Sequence, residues 1–360
     1  MTNDKNIDHD RAELGALLQK ALMLELSTIP PYATACYSIK EQGQYDRSSP
    51  EIVNAEPIEV IRQVMVEEML HMVLVANLMN AINCKPVVND PKQLPSYPMR
   101  ILDGKGPELR LRRFMPDQIK CFREVERAPK DPANDAHRDY ETIGGFYLYV
   151  LGMLEKACAA HGERKIFIGD AARQFNSDDY YGAGGDVIAV HDLATARTAI
   201  REIMDEGEGA ALGHSACDND LIPAPKGEER WDIAHFFKFD EILHSRYYLP
   251  TDRLGEPPSG SDLVVDWTAV WPMKDDPKAA DYASTPEIRE LSDRFNRSYS
   301  ELLDGLNAAF NGDKPALALI VPVMFSLKDQ AQHLMRVPLP DTGYGTTAGP
   351  LWRYVPTTES

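Results

Sequence analysis

The sequence has no Cys-x-x-Cys pair. Its five cysteines, Cys36, Cys84, Cys121, Cys158 and Cys217, are odd in number and scattered along 360 residues. That excludes a disulfide framework, and it excludes covalent haem, which needs a Cys-x-x-Cys-His run. There is no basic block either. The net charge is −18 and the pI about 4.9. A nucleic-acid partner is therefore not expected, because phosphate binding needs Lys/Arg stripes. Met1 to Arg11 is polar and charged, without the apolar core of a secretory leader. No uninterrupted apolar run approaches the roughly 20 residues of a membrane span. The most apolar stretch, near Leu317 to Phe325, is short and contains Pro322. Repeats and low-complexity tracts are absent. These absences lead us to expect a reduced, cytoplasmic protein with buried thiols, off the membrane.

What is present is helical patterning broken by 26 prolines and 23 glycines. The pattern predicts helices over Asp10 to Thr28, stopping at Pro30-Pro31, and over Pro57 to Asn83, Pro116 to Glu126 and Ile143 to Ala160. Others follow over Leu193 to Gly209, Arg230 to Tyr248, Thr285 to Asn311 and Pro315 to Met335. Lys165 to Ile168 and Val187 to Val190 read as short strands. Lys85 to Leu109 and Pro250 to Asp281 read as irregular, and the tail beyond Pro338 as a surface wrap. The class is mainly α. The expected division is a helical domain with inserts at 1–248 and a helical extension at 249–360.

The helix from Pro57 carries the most chemistry. Ile61, Val64, Met65, Met72, Val75, Leu78 and Met79 follow the spacing of a buried face. Glu68 and His71 fill the gap in that stripe, so a Glu and a His three residues apart point into the core. A buried carboxylate is protonated, paired or bound to a metal. The same Glu-x-x-His spacing recurs as Glu241 and His244, on the face of Ile233, Phe237 and Tyr248. Glu25 lies within the buried face Leu14, Leu17, Leu18, Ala21, Leu24 and Thr28. Before the second Glu-x-x-His, Glu202, Glu206 and Glu208 compete for one position. Glu208 is preferred, since it shares a face with Ile200, Met204 and Ala211 and has glycine neighbours.

One Glu-x-x-His match is weak. Two on buried faces, each following a Glu-bearing helix, give the order Glu, Glu-x-x-His, Glu, Glu-x-x-His. That is the ligand set of di-iron and di-manganese carboxylate proteins built in four-helix bundles. Carboxylates bridge two cations, and imidazole suits Fe and Mn while leaving positions open. No thiolate occupies these positions, which argues against zinc or iron–sulfur. The plain alternative is that His71 and His244 are core histidines paired with their own helix's Glu. Glu67 reads as a solvated or supporting acid. His235 and Tyr32 are candidates for supporting roles beside the ligands. Tyr37, Tyr147, Tyr247 and Tyr248 read as packing residues, with redox activity near a metal as the alternative.

Several runs resemble the ferritin-like domain of the iminophenylpyruvate dimer synthases of violacein- and rebeccamycin-type biosynthesis. They are Leu24-Glu25-Leu26-Ser27-Thr28-Ile29-Pro30-Pro31-Tyr32 and Val66-Glu67-Glu68-Met69-Leu70-His71-Met72. Thr142-Ile143-Gly144, Gly207-Glu208-Gly209-Ala210, His235-Phe236-Phe237, Phe295-Asn296 and Ala348-Gly349-Pro350 look similar too. The resemblance spans about 12–355. It implies a ferritin-like four-helix bundle with additional helices, a small strand insert and a C-terminal extension. It also implies a metal site at Glu25, Glu68, His71, Glu208 and Glu241 or His244. The implied activity is a metal-dependent oxidoreductase with two Fe or Mn ions, acting with O2 or peroxide on a small amino-acid-derived substrate, with oxidative coupling of imines as one reaction. Non-covalent haem remains an alternative cofactor, a homodimer an expected assembly, and iron binding or storage without an organic substrate the alternative function.

Overall fold

A computed structural model of the chain describes residues 2–41, 53–129, 139–180, 185–207, 233–340 and 345–356. Among them, helices α1 (Thr2–Ser38), α2 (Ala55–Ala81), α3 (Pro116–Val125), α4 (Ile143–His161), α5 (Leu193–Gly207), α6 (His235–His244), α7 (Pro286–Phe310) and α8 (Pro315–Met335) make the framework. Four of them close a ring. α1 packs on α2, α2 on α5, α5 on α4 and α4 on α1. α3 and α6 pair with each other, and α6 also touches α2 and α5 near one end of the ring. The α7–α8 hairpin lies against α1 and α2.

α2 is the inner helix. Nearly every residue from Leu70 to Ala81 is buried, so its surroundings are protein on all sides. Its length and composition alone would pass for a membrane span, but 89% of the relevant window is buried inside the bundle. α4 starts cleanly because the Thr142 hydroxyl accepts the Gly145 N–H at 3.0 Å.

Three expectations are revised. α1 does not stop at Pro30-Pro31 but continues to Ser38. Pro31 cannot donate to the Ser27 carbonyl four residues back. The Tyr97 hydroxyl donates to it instead, at 2.8 Å. A buried partner thus replaces the lost bond, and the helix survives. The two expected strands are also absent. Glu163–Ile166 is a single helical turn, and 187–190 is irregular. Side chains satisfy that backbone in place of a partner strand. Gln174 Oε1 accepts the Val190 N–H at 2.8 Å, and Asn77 Nδ2 donates to the Ile188 carbonyl at 2.9 Å. The sheet among the described residues pairs β1 (Met99–Arg100) with β2 (Glu108–Leu109), antiparallel. Finally, the C-terminal tail does not merely wrap the surface. Trp352 is buried edge-on against Phe295 and Tyr299, and its Nε1 donates to Thr34 Oγ1 of α1 at 2.8 Å.

Candidate metal centre

Inside the ring, ionisable side chains converge from six elements. α1 supplies Glu25, α2 supplies Glu67, Glu68 and His71, and the cap residue after α3 is Glu126. α4 contributes Tyr147, α5 contributes Glu206 and the first turn of α6 contributes His235. Glu25, Glu67, Glu68, Glu126, His71 and His235 are all 2% exposed or less. Carboxylates at that depth cannot rely on water, so each is held by named partners.

Glu68 is central. Its Oε2 accepts the Thr28 hydroxyl at 2.8 Å. Its Oε1 lies 3.0 Å from His235 Nδ1 and 4.0 Å from His71 Nδ1. His71 Nδ1 is also 3.5 Å from Glu25 Oε2, and His235 Nδ1 is 3.6 Å from Glu126 Oε2. Each imidazole turns its other nitrogen outward. His71 Nε2 is 3.0 Å from Glu206 Oε2, and His235 Nε2 is 2.8 Å from Glu67 Oε2. The two rings stack with centroids 5.6 Å apart. Tyr147 and Tyr32 donate short hydrogen bonds to Glu25 Oε1 and Glu126 Oε1. A phenol thus occupies one oxygen of each of these carboxylates, and the other oxygen faces a histidine.

Without a cation the cluster is strained electrically, and the proton affinities record it. Burial pushes the Glu68 carboxyl up to about 7, reinforced by the charge of Glu126 and partly offset by His235. Burial alone would lower His71, but hydrogen bonds to Glu206 and Glu25 outweigh it and raise it to about 10. His235 likewise rises well above its ordinary value, because Glu126, Glu67 and Glu68 outweigh burial. Glu67 goes the other way. Burial would raise it, yet His235 and Lys238 bring it down to about 2.

Two sets of side chains present ligand atoms within 4.8 Å of one another in the core, Glu25–Glu68–His71 and Glu68–Glu126–His235. They share Glu68. The donor set of carboxylate oxygen and imidazole nitrogen suits Fe or Mn rather than a thiolate site. A second observation fits a cation. His235 Nδ1 is fully buried and makes no hydrogen bond, although it points between two carboxylate oxygens. A nitrogen so placed could give up its proton and bind a cation between those two oxygens. A small cavity reaches the cluster, bounded by Tyr147 and Gly207 and walled by Ile143, Ile203 and Met204.

The structure therefore brings together Glu25, Glu68 and His71, with Tyr32 and His235 beside them. It does not bring Glu241 and His244 there. α6 ends at Ser245 in the left-handed conformation, so it is short. His235, at its start, faces the cluster, while positions six and nine residues on lie about 9 and 13 Å further along the axis. Glu241 is buried elsewhere and accepts the Tyr248 N–H at 2.8 Å. The His244 side chain is 41% exposed, with Nδ1 3.0 Å from the Asp240 carbonyl. Glu208 lies outside the described residues. Its competitor Glu206 reaches His71, and Gly185 at φ +64° covers it so closely that a Cβ there would sit 2.0 Å from Glu206 Oε1. The other competitor, Glu202, accepts the Asp186 N–H at 2.8 Å instead.

Glu126 escaped the sequence reading. Its signal was present, because Ile119, Phe122 and Glu126 continue one buried face of α3. It was overlooked because α3 lies outside the four-helix ring and carries no Glu-x-x-His.

Residues 18–244 match the protein family described as ferritin-like. The chain belongs to that family. It is also similar to the crystal structure of a ferritin-like protein from Caulobacter vibrioides. The identity is 22%, over 95% of this chain and 97% of the other, with a TM-score of 0.57. At that identity the likeness shows a shared fold alone. No curated protein matches the sequence.

Proposed function

We propose that the chain is a metal-dependent oxidoreductase with a dinuclear carboxylate/histidine centre, acting with O2 or peroxide on a small amino-acid-derived substrate. The observation that carries this reading is the pair of buried ligand sets joined through Glu68. Among the described residues, five carboxylates (Glu25, Glu67, Glu68, Glu126 and Glu206) face one ammonium, Lys238, and two imidazoles. With both imidazoles neutral, the remaining charge of about −4 matches two divalent ions, the number typical of such bundle sites. Glu25 and His71 would hold one ion, Glu126 and His235 the other, and Glu68 both. When bound, redox-active Fe or Mn would pass electrons from the substrate to O2 or peroxide.

The chain's own groups do the rest. Tyr32, Tyr147 and Thr28 fix the three carboxylates. Ile143, Ile203 and Met204 keep bulk water from the cavity. The resemblance to iminophenylpyruvate dimer synthases supports oxidative coupling of two imines or enamines as the reaction. Coupling forms one C–C bond and releases two electrons and two protons, which reduce O2 to hydrogen peroxide or peroxide to water.

A second reading, iron binding or storage without an organic substrate, is favoured by the size of the cavity. The space open to a water-sized molecule is about 10 Å³, far below the roughly 300–1,000 Å³ of pockets for organic ligands, and this also disfavours haem. Elemental analysis tests the common ground. About two Fe or Mn per chain are expected, and both should be lost in Glu68→Ala, the shared ligand. Oxygen uptake by the reduced protein, with and without an arylpyruvate imine, then separates the two readings. Uptake accelerated by the imine, with dimeric product, supports the enzyme. Uptake indifferent to it, with iron accumulating beyond two per chain, supports storage. Absence of any bound metal after anaerobic loading would overturn both.

A further inference from the structure

We propose that Glu67 is a positioning residue for the centre, acting with Lys238 to set which nitrogen of His235 faces the ions. The inference rests on the dinuclear reading above.

Glu67 and Glu68 are neighbours in α2, yet they serve different elements. Glu68 turns into the cluster. Glu67 turns to α6, where both of its oxygens are engaged. Lys238 Nζ lies 2.9 Å from Oε1 and 2.7 Å from Oε2, and Gln63 Nε2 donates to Oε1 at 3.2 Å. Oε2 also lies 2.8 Å from His235 Nε2. Glu67 is 1% exposed and Lys238 5%. A buried ion pair is seldom stabilising compared with apolar side chains of the same volume. Its retention calls for a role in specificity, and the geometry supplies one.

An imidazole that ligates a metal is neutral and carries one N–H, and an ionised carboxylate can only accept. Against Glu67, His235 Nε2 must be the donor. Nδ1 then presents its lone pair between Glu68 Oε1 and Glu126 Oε2, where it has no hydrogen bond. Lys238 keeps Glu67 from acting as a rival ligand, because both carboxylate oxygens are drawn to the ammonium and away from the cluster. Outer carboxylates of this kind orient a ligating histidine and tune its basicity. His71 repeats the arrangement with Glu206 on its Nε2, but the Glu206 side chain is 14% exposed whereas Glu67 is sealed. The tight lock belongs to the Glu126/His235 position alone.

The test holds the charge constant while changing the acceptor. In a Lys238→Met background, Glu67→Leu removes the acceptor and Glu67→Gln keeps one. In neither variant does position 67 or position 238 itself carry a buried charge. Cobalt(II) is titrated into the metal-free proteins and followed by its visible absorption. We expect one of two binding equivalents to weaken about 10–100-fold in the Leu variant, with the other unchanged, and to recover in the Gln variant. Equal affinities in the two variants would overturn the inference. Wild-type protein that binds fewer than two equivalents would overturn the dinuclear reading instead. A second measurement needs no variant. Nitrogen-15 histidine spectra of the zinc-loaded wild type should show the His235 proton on Nε2, and a proton on Nδ1 would overturn the proposal.

Discussion

At the scale of single residues, side-chain direction decides which acid does what. Successive residues of a helix point about 100° apart, so Glu67 and Glu68 must serve different neighbours. The meeting of Glu25, Glu68 and His71 was legible because each interrupts an apolar stripe on a long helix. The meeting with Glu126 was not, since α3 lies outside the four-helix ring and carries no Glu-x-x-His to single that acid out. Gly185 is a residue of the same kind, important for what it lacks. Its positive φ and its contact with Glu206 leave no room for a side chain. Gly185→Ala should cost about 1–3 kcal/mol by urea unfolding, since it combines backbone strain with overpacking. An unchanged midpoint would show that the Glu206 carboxylate swings aside freely.

At the scale of elements, sequence periodicity located the long helices but not their ends. The Pro30-Pro31 pair is a strong stop signal, and it fails because Tyr97, nearly 70 residues on, supplies the missing donor. That is tertiary structure overruling local propensity, which no local pattern reveals. Tyr97→Phe removes the hydroxyl and leaves the Ser27 carbonyl buried without this partner. The expected loss is about 1–3 kcal/mol in chemical denaturation. If stability is untouched, water or a bent helix satisfies the carbonyl. α6 makes the opposite point. Its pattern was read through to Tyr248, but Ser245 breaks it. The Glu-x-x-His of Glu241 and His244 thereby falls outside the cluster, and His235, expected only in a supporting role, lies within it.

At the scale of the molecule, the mainly helical class and the ferritin-like fold were readable, because four amphipathic helices leave few other ways to bury their stripes. What the pattern could not show was how much charge the core would hold. In the metal-free protein, the carboxyls of Glu68, Glu202 and Glu241 are each raised to about 7, chiefly by burial. Each binds its proton more tightly folded than unfolded, where the value is about 4.3, so its contribution falls as pH climbs from about 4 to 7. His71, raised to about 10, acts in the same direction. Its contribution is complete below about 6.5 and is lost as pH rises through 10. Glu67 titrates below this window. Metal-free protein should therefore unfold at lower urea at pH 8.5 than at pH 5.5. Added metal should flatten the part of the slope due to Glu68 and His71. A metal-free protein more stable at pH 8.5 would contradict these proton affinities.

The burial of α2 has a consequence for how the chain is made. As it leaves the ribosome, α2 finds α1 already synthesised. The α5, α6 and α7 segments that touch its remaining faces begin some 110 to 200 residues later. At roughly 5–20 residues per second, this deeply buried helix waits several seconds half-clothed. During that delay it resembles a membrane segment to any hydrophobic receptor, and only the charged Glu67, Glu68 and His71 in its middle mark it as a nascent core.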